Sequence, residues 1–536
     1  GTRGALIGLV AGGAVFLITF FLFSLRENKR LAVYAGGALV VGVTMVVCFY
    51  LARDSVFVHK YQLLARFADI SITSSTASSR LMIWGIAKDA FKERPILGWG
   101  PDNFIIPYAK YYNPNLYGNE PWFDRVHNMH LEWLVAAGVI GFLAYLSVVA
   151  SFLFVVWKLW RRRIVNSVAL AALVGFIVAY LAQNTFVFDN VVTYMFFTLV
   201  LAAAHGLSAE NVQHKEVVIR KQGIVMVLAP LCIIAGVLIA TTVHTKQMRV
   251  AGGIITMLNS VSGGGTVYNF TNQLDALVAM QTFGTSGARE RYVDIVLAAT
   301  RESGKVPKSD LLLLLSHGIE HIRQEVARNP ENVRPLITLG KLLQLRATVA
   351  ESVADRDEAI AVYKNAIEKG PHFPSTYIGL AEVYLTAGDN ARTVGAVDAI
   401  FQEMTQPSQL FVNSLLLVDV IIGDYQKGVE HIQRYLSLGN TPQHPLDAKF
   451  DHERTTNLIT HIKATNENIA DVEKFLEALQ PGFLWQHDKT YLMLLANIKA
   501  DLGKLDEARN LANMLIEVSP DSAPEIEKFL RSLDAL

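Results

Sequence analysis

Six long apolar stretches fall within the first 243 residues: Gly4–Ser24, Leu31–Leu51, Leu131–Trp157, Ile164–Gln183, Asn190–Gly206 and Gly223–Val243. A helix of ~20 apolar residues crosses ~30 Å of hydrocarbon, so each run is a candidate span, Asn190–Gly206 being the shortest. Five of the six contain no Asp, Glu, Lys or Arg, and the third carries Glu132 in its first turn. Residues 1–243 therefore read as a polytopic transmembrane helical bundle.

The short connections give an orientation. Arg26, Lys29 and Arg30 separate the first two runs, Lys158, Arg161, Arg162 and Arg163 follow the third, and Lys215, Arg220 and Lys221 precede the sixth. These connections alternate with the others and so share one side, whereas Asn184–Asp189 carries no Lys or Arg. The positive-inside rule assigns the basic side to the cytoplasm. The expectation is a multi-pass protein of the cytoplasmic (inner) membrane. Its long loop, about residues 52–129, and everything beyond Val243 are then extracytoplasmic, and Arg3 stands at the outer mouth of the first helix.

From about Lys246 the apolar residues recur at helical spacing among charges. Ala359, Thr393 and Gly428 are small residues 34 and 35 positions apart, each following a turn and opening a helix, and Ala508 falls in the same frame 80 residues on. That gap has room for two repeats and an insertion near Asn440–Asp451. Pro371 and Pro520 each lie 12 residues beyond the small residue of their repeat, where proline ends a helix. A 34-residue helix–turn–helix period of this kind resembles the tetratricopeptide repeat. Residues 244–536 thus read as a soluble α-solenoid, with 268–330 helical but without clear repeats. The whole chain is expected to be all-α. Such a solenoid offers a concave surface for a protein partner, or serves as a rigid spacer; the sequence names no ligand.

Charge and cysteine usage exclude several classes. Lys and Arg (48) balance Asp and Glu (48), leaving no bulk positive field for nucleic acid. Both cysteines, Cys48 and Cys232, lie within apolar runs, which excludes a disulfide scaffold and a Cys-based zinc site. The chain opens with Gly1 close to an apolar run and without a basic leader, and reads as a fragment whose N-terminal part is missing.

Three local patterns carry chemistry. The first is Gly1-Thr2-Arg3-Gly4-Ala5, a lone arginine among small residues at a helix mouth. The second runs from Ser79-Arg80-Leu81-Met82-Ile83-Trp84, expected to open a helix capped by Ser78 or Ser79. It continues through Ala87, Ala90 and Phe91 into Pro95-Ile96-Leu97-Gly98-Trp99-Gly100 and Phe104. The third is Asp124-Arg125-Val126-His127-Asn128-Met129-His130-Leu131-Glu132, leading to Gly138 and Gly141. In this order, across residues 1–145, these patterns resemble the O-antigen ligase and polymerase family of bacterial membrane glycosyltransferases. The family has about twice as many helices, and some members carry tetratricopeptide tails.

The resemblance implies a GT-C-like bundle that takes a glycan from undecaprenyl pyrophosphate to an acceptor hydroxyl at the outer face of the membrane. It implies inversion at the sugar carbon and no metal or other cofactor. By position it makes His127 the catalytic base and Arg3 and Arg80 the pyrophosphate-binding residues, with Asp124, Arg125, Asn128 and Glu132 in supporting places. A guanidinium fork suits diphosphate oxygens, and an imidazole suits a hydroxyl proton. Each role has a rival reading. Arg3 could anchor at the lipid headgroups, Arg80 could be a surface arginine, and His127 could satisfy a loop carbonyl or pair with His130 on a metal. Asp124 could orient His127 or pair with Arg125. Glu132 could simply favour a helix N-terminus. The acceptor could be a lipid-core sugar (ligase), a growing glycan (polymerase) or a protein side chain (protein O-oligosaccharyltransferase), with membrane lipid as surroundings. A transporter fits poorly with uncharged helix interiors, and a membrane-anchored repeat scaffold would need only one or two helices.

Overall fold

The computed structural model describes residues 2–68, 75–118, 122–209, 222–262, 266–301, 305–438, 458–479 and 489–534. Every regular element among them is helical. The chain divides into two compact units: residues 1–111 with 122–244, and residues 112–121 with 245–536.

The first unit contains α1 (Thr2–Glu27), α2 (Lys29–Ala52), α3 (Val56–Lys60), α4 (Gln62–Ala68), α5 (Ser75–Glu93), α6 (Ile105–Lys110), α7 (Met129–Arg161), α8 (Ser167–Asn184) and α9 (Val191–Ala209), and the start of α10 (Gln222–Ser262). Six of these, α1, α2, α7, α8, α9 and α10, are long and apolar enough to cross a membrane. Val40, Val41 and Leu51 on α2, Val191 and Leu199 on α9, and Ile233 and Ile239 on α10 are exposed. So broad an apolar surface is unusual in water and is what hydrocarbon solvates. Phe152, Val156 and Leu159 of α7 pack on Leu170 and Ile177 of α8 and Phe197 of α9. The tightest pairing joins α1 to α8. A Cβ at Gly8 would lie 2.7 Å from the Ala179 carbonyl oxygen, and one at Gly12 would lie 2.6 Å from that of Gly175. Small residues one turn apart let the two backbones touch, the usual device where lipid leaves no hydrophobic drive for association.

Two boundaries differ from the sequence expectation. The arginine-bearing helix α5 starts at Ser75, so Ser78 and Ser79 lie inside it and neither caps it. The sixth span does not stop at Val243: α10 continues unbroken to Ser262, since Lys246, Gln247, Met248, Arg249 and Ala251 are good helix formers and no Pro interrupts residues 241–262. Lys215, Arg220, Lys221 and the expected insertion at Asn440–Asp451 lie outside the described residues.

The second unit is a run of helices: α11 (Val267–Ala279), α12 (Thr285–Arg301), α13 (Lys308–Arg328), α14 (Val333–Ala350), α15 (Val353–Lys369), α16 (Pro374–Thr386), α17 (Asn390–Glu403), α18 (Gln409–Ile422), α19 (Tyr425–Ser437), α20 (Ile469–Leu479), α21 (Lys489–Asp501), α22 (Leu505–Val518) and α23 (Ala523–Leu533). Each packs against the next in chain order. The turns recur. Gly388 and Gly423 take positive φ after a helix, and Asp389 and Asp424 then cap the next helix by accepting the backbone N–H of Arg392 and Lys427. Ala359, Thr393 and Ala508 are fully buried. A Cβ at Gly428 would strike the Phe475 ring at 2.6 Å, so these small residues sit where helices approach closely.

A piece of the long loop folds with this second unit. Tyr112 packs on Phe373 with ring centroids 4.5 Å apart, and Tyr117 stands edge-on to Phe411 at 5.7 Å. The Asn115 carbonyl oxygen accepts the backbone N–H groups of Thr405 and Gln406 at 3.1 and 2.8 Å, and its amide donates to the Thr405 hydroxyl. Leu116 is fully buried.

Candidate functional site

Glycine governs the frame of the site. Gly138 interrupts α7 with φ 63° and ψ −165°, conformations closed to side-chain-bearing residues. The break frees helix carbonyls. Val135 and Ala136 accept from the N–H groups of Trp99 and Gly100 at 2.8 and 2.9 Å, and Val139 N–H donates to Pro95 at 2.8 Å. The Pro95–Gly100 turn is thereby spliced onto α7. A Cβ at Gly98 would meet the Val135 carbonyl, and one at Gly138 would collide with the Ile96 carbonyl. The Trp99 indole donates to the Ala90 carbonyl at 2.9 Å, tying the same turn to α5. At the far end of this layer Lys110 and Tyr111 both bond the Glu93 carboxylate. That hydrogen bond, with burial, pushes the Tyr111 hydroxyl up to about 12.

The segment before α7 is held from both sides. Asn128 caps the helix, accepting the N–H groups of His130 and Leu131. Glu132, buried in the first turn, reaches back to accept the Val126 N–H at 2.8 Å. Its place is explained by this staple, which serves position 127 directly. Between the two anchors His127 adopts φ +56°, a left-handed conformation that costs a residue with a Cβ. Its Nδ1–H donates to the Arg125 carbonyl at 3.1 Å, so the neutral ring presents Nε2 as the proton acceptor. The ring is wedged edge-on between Phe123 (5.0 Å) and Phe188 (5.1 Å). Phe123 in turn packs on Tyr108, and Tyr108 on Phe104.

Three sequence-selected segments meet the connection between α8 and α9. His127 touches Phe188. Trp84, one turn beyond Arg80 on the same face of α5, has its ring 6.4 Å from Phe186. Its indole N–H is shielded from solvent and meets no acceptor among the described residues. Gly4 lies against Phe186 and Val187, where a Cβ would come within 3.2 and 3.3 Å. Arg80 itself is half-buried. The Arg3 side chain lies outside the described residues.

The supporting residues sort differently from expectation. Among the described residues Asp124 neither orients His127 nor pairs with Arg125. Arg125 bonds Asp102 at 2.6 Å instead and lies over the Phe188 ring at 5.2 Å, because the Asp102 turn is closer to its guanidinium than the exposed Asp124. His130 donates Nε2–H to the Leu181 carbonyl at 3.2 Å and so is committed to the backbone rather than paired with His127. Trp99, Phe104, Tyr108 and Phe123 are buried and serve as core. The sequence reading passed over the connection Thr185–Asp189 as a loop without basic residues. There Asp189 is buried and accepts from Tyr180 at 2.6 Å and from Asn184 at 3.3 Å. The signal was present: an acidic residue and two phenylalanines in the short break between two apolar runs.

The six long apolar helices and the all-helical fold point to a multi-pass helical membrane protein. The family described as O-Antigen ligase matches residues 1–146, the stretch that contains α1, Arg80, the Pro95–Gly100 splice, His127 and Gly138. A curated relative, the teichuronic acid biosynthesis protein TuaE of Bacillus subtilis (strain 168), is 28% identical over 220 residues, covering 39% of this chain and 42% of the relative. The chain thus spans about two fifths of the length of the relative it matches. Both findings support a place in the O-antigen ligase/polymerase family.

Proposed function

We propose that the protein transfers a glycan from undecaprenyl pyrophosphate to an acceptor hydroxyl at the outer face of the cytoplasmic membrane. The observation that carries this reading is the meeting of the α1 start, the Trp84 turn of α5 and the His127 loop on residues 186–188. In this reading Arg3 and Arg80 bind the diphosphate and take up the charge that develops as the bond to the sugar carbon breaks. Nε2 of His127 accepts the proton of the attacking hydroxyl. Direct attack inverts the sugar carbon and releases undecaprenyl pyrophosphate, and transfer proceeds without a metal at this site. Asn128, Glu132 and Arg125 act as positioning residues; Asp124 has no assigned part.

Ligase is the favoured activity, in line with the family description; polymerase is the alternative, and protein O-glycosylation is a further one. We read the second unit as a tetratricopeptide-like solenoid on the same outer side, holding the loop through Tyr112 and Asn115 and offering its remaining surface to a protein partner. The full-length protein in sealed vesicles, given an undecaprenyl-pyrophosphate glycan and candidate acceptors, tests the proposal. Right-side-out vesicles are expected to make a product of inverted configuration with acceptor added outside, and the acceptor that is consumed separates ligase from polymerase. Activity only in inverted vesicles would reverse the topology, and no release of undecaprenyl pyrophosphate in either would refute the donor.

A further inference from the structure

We propose that Asp275, His317 and His321, at the start of the solenoid, form a binding site for a divalent transition-metal cation of the zinc class. His317 and His321 lie one turn apart on α13, and Asp275 faces them from α11. The Asp275 Oδ1 atom is 2.9 Å from His321 Nε2 and 3.2 Å from His317 Nε2, and the two Nε2 atoms are 3.2 Å apart. Three atoms in so small a triangle cannot all be joined by hydrogen bonds. If both imidazoles donate to the carboxylate, two N–H groups face each other. If one imidazole donates to the other, a lone pair faces the carboxylate. A cation ~2.0–2.2 Å from each atom turns all three contacts attractive and caps the triangle from one side.

The donor set has the chemistry for such an ion. Two imidazoles at i and i+4 on one helix, with a carboxylate from another element, suit zinc and its neighbours in the transition series. The site is also built rather than incidental. The His321 side chain is only 8% exposed and that of His317 22%, while Asp275, at 54%, leaves the outer side open for water or an added ligand. The Tyr292 ring stands edge-on to His317 at 5.7 Å and its hydroxyl donates to the Leu314 carbonyl, fixing the ring's surroundings. A second acidic group, Glu473, Glu477 and Glu507, is different: it surrounds the Lys499 ammonium, which already supplies the positive charge. A bound ion would clip α11 onto α13.

The test uses the full-length protein, stripped with chelator and titrated with zinc by calorimetry and with cobalt by visible absorption. The wild type is expected to take up one ion per chain with the absorption bands of a cobalt–imidazole complex. His317→Ala and Asp275→Asn, at partly exposed positions, are expected to keep their helical circular dichroism while losing affinity by at least the ~10–100-fold seen when only an outer-shell partner is removed. Zinc uptake equal in the wild type and His317→Ala, or uptake by neither, would overturn the site.

Discussion

Replacing His127 by alanine will lower glycan transfer by about 10²–10⁴-fold, the range for loss of a general base, while leaving donor binding nearly unchanged. The expectation follows from how the ring is held. Its Nδ1–H is engaged by the Arg125 carbonyl and its faces are confined by Phe123 and Phe188, so the side chain offers Nε2 and little else. A His127→Gln variant, which keeps bulk and a hydrogen-bonding end, will not restore the rate. Single-turnover rates and donor affinity measured together make the check. Equal loss of both would mean that the residue shapes the loop and does not move a proton.

Arg80→Ala is expected to act on the other quantity. Truncating one partner of a desolvated charge pair costs about 2–5 kcal/mol, equivalent to ~30- to 4,000-fold, and here the loss should fall on donor affinity as well as on transfer. Arg80→Lys should recover part of it, because charge is kept but the planar fork is lost. Arg80 stands in the second turn of α5 beside the buried stripe of Ser79, Ile83, Ile86 and Ala90, so circular dichroism of the variants separates a lost anion contact from a displaced helix. Transfer near the wild-type rate would remove Arg80 from the site.

Much of this was legible in the chain because its physics is local. Apolar run length alone located six candidate spans, and the four small residues Ala359, Thr393, Gly428 and Ala508 marked close helix approaches. The motif around Pro95–Gly100 could be quoted but not explained from sequence. Its meaning is a tertiary splice, in which carbonyls released by the Gly138 break pair with Trp99 and Gly100. The start of α5 was misread because serines cap helices more often than they continue them, yet Ser78 and Ser79 are carried inside by the buried face that follows. The sequence left Asp124 open between orienting His127 and pairing with Arg125, whereas Arg125 bonds Asp102, 23 residues away. The convergence on 186–188 and the His317–His321 pair facing Asp275 depend on contacts between distant elements.

The most direct measurement is photocrosslinking of the full-length protein with an undecaprenyl-pyrophosphate glycan carrying a reactive group beside the diphosphate. The account predicts label on Trp84, on residues 186–188 or on the loop 123–128, competed by unlabelled donor and diminished in Arg80→Ala. Competed label confined to the exposed apolar sides of α2 and α9, or to the second unit, would contradict it.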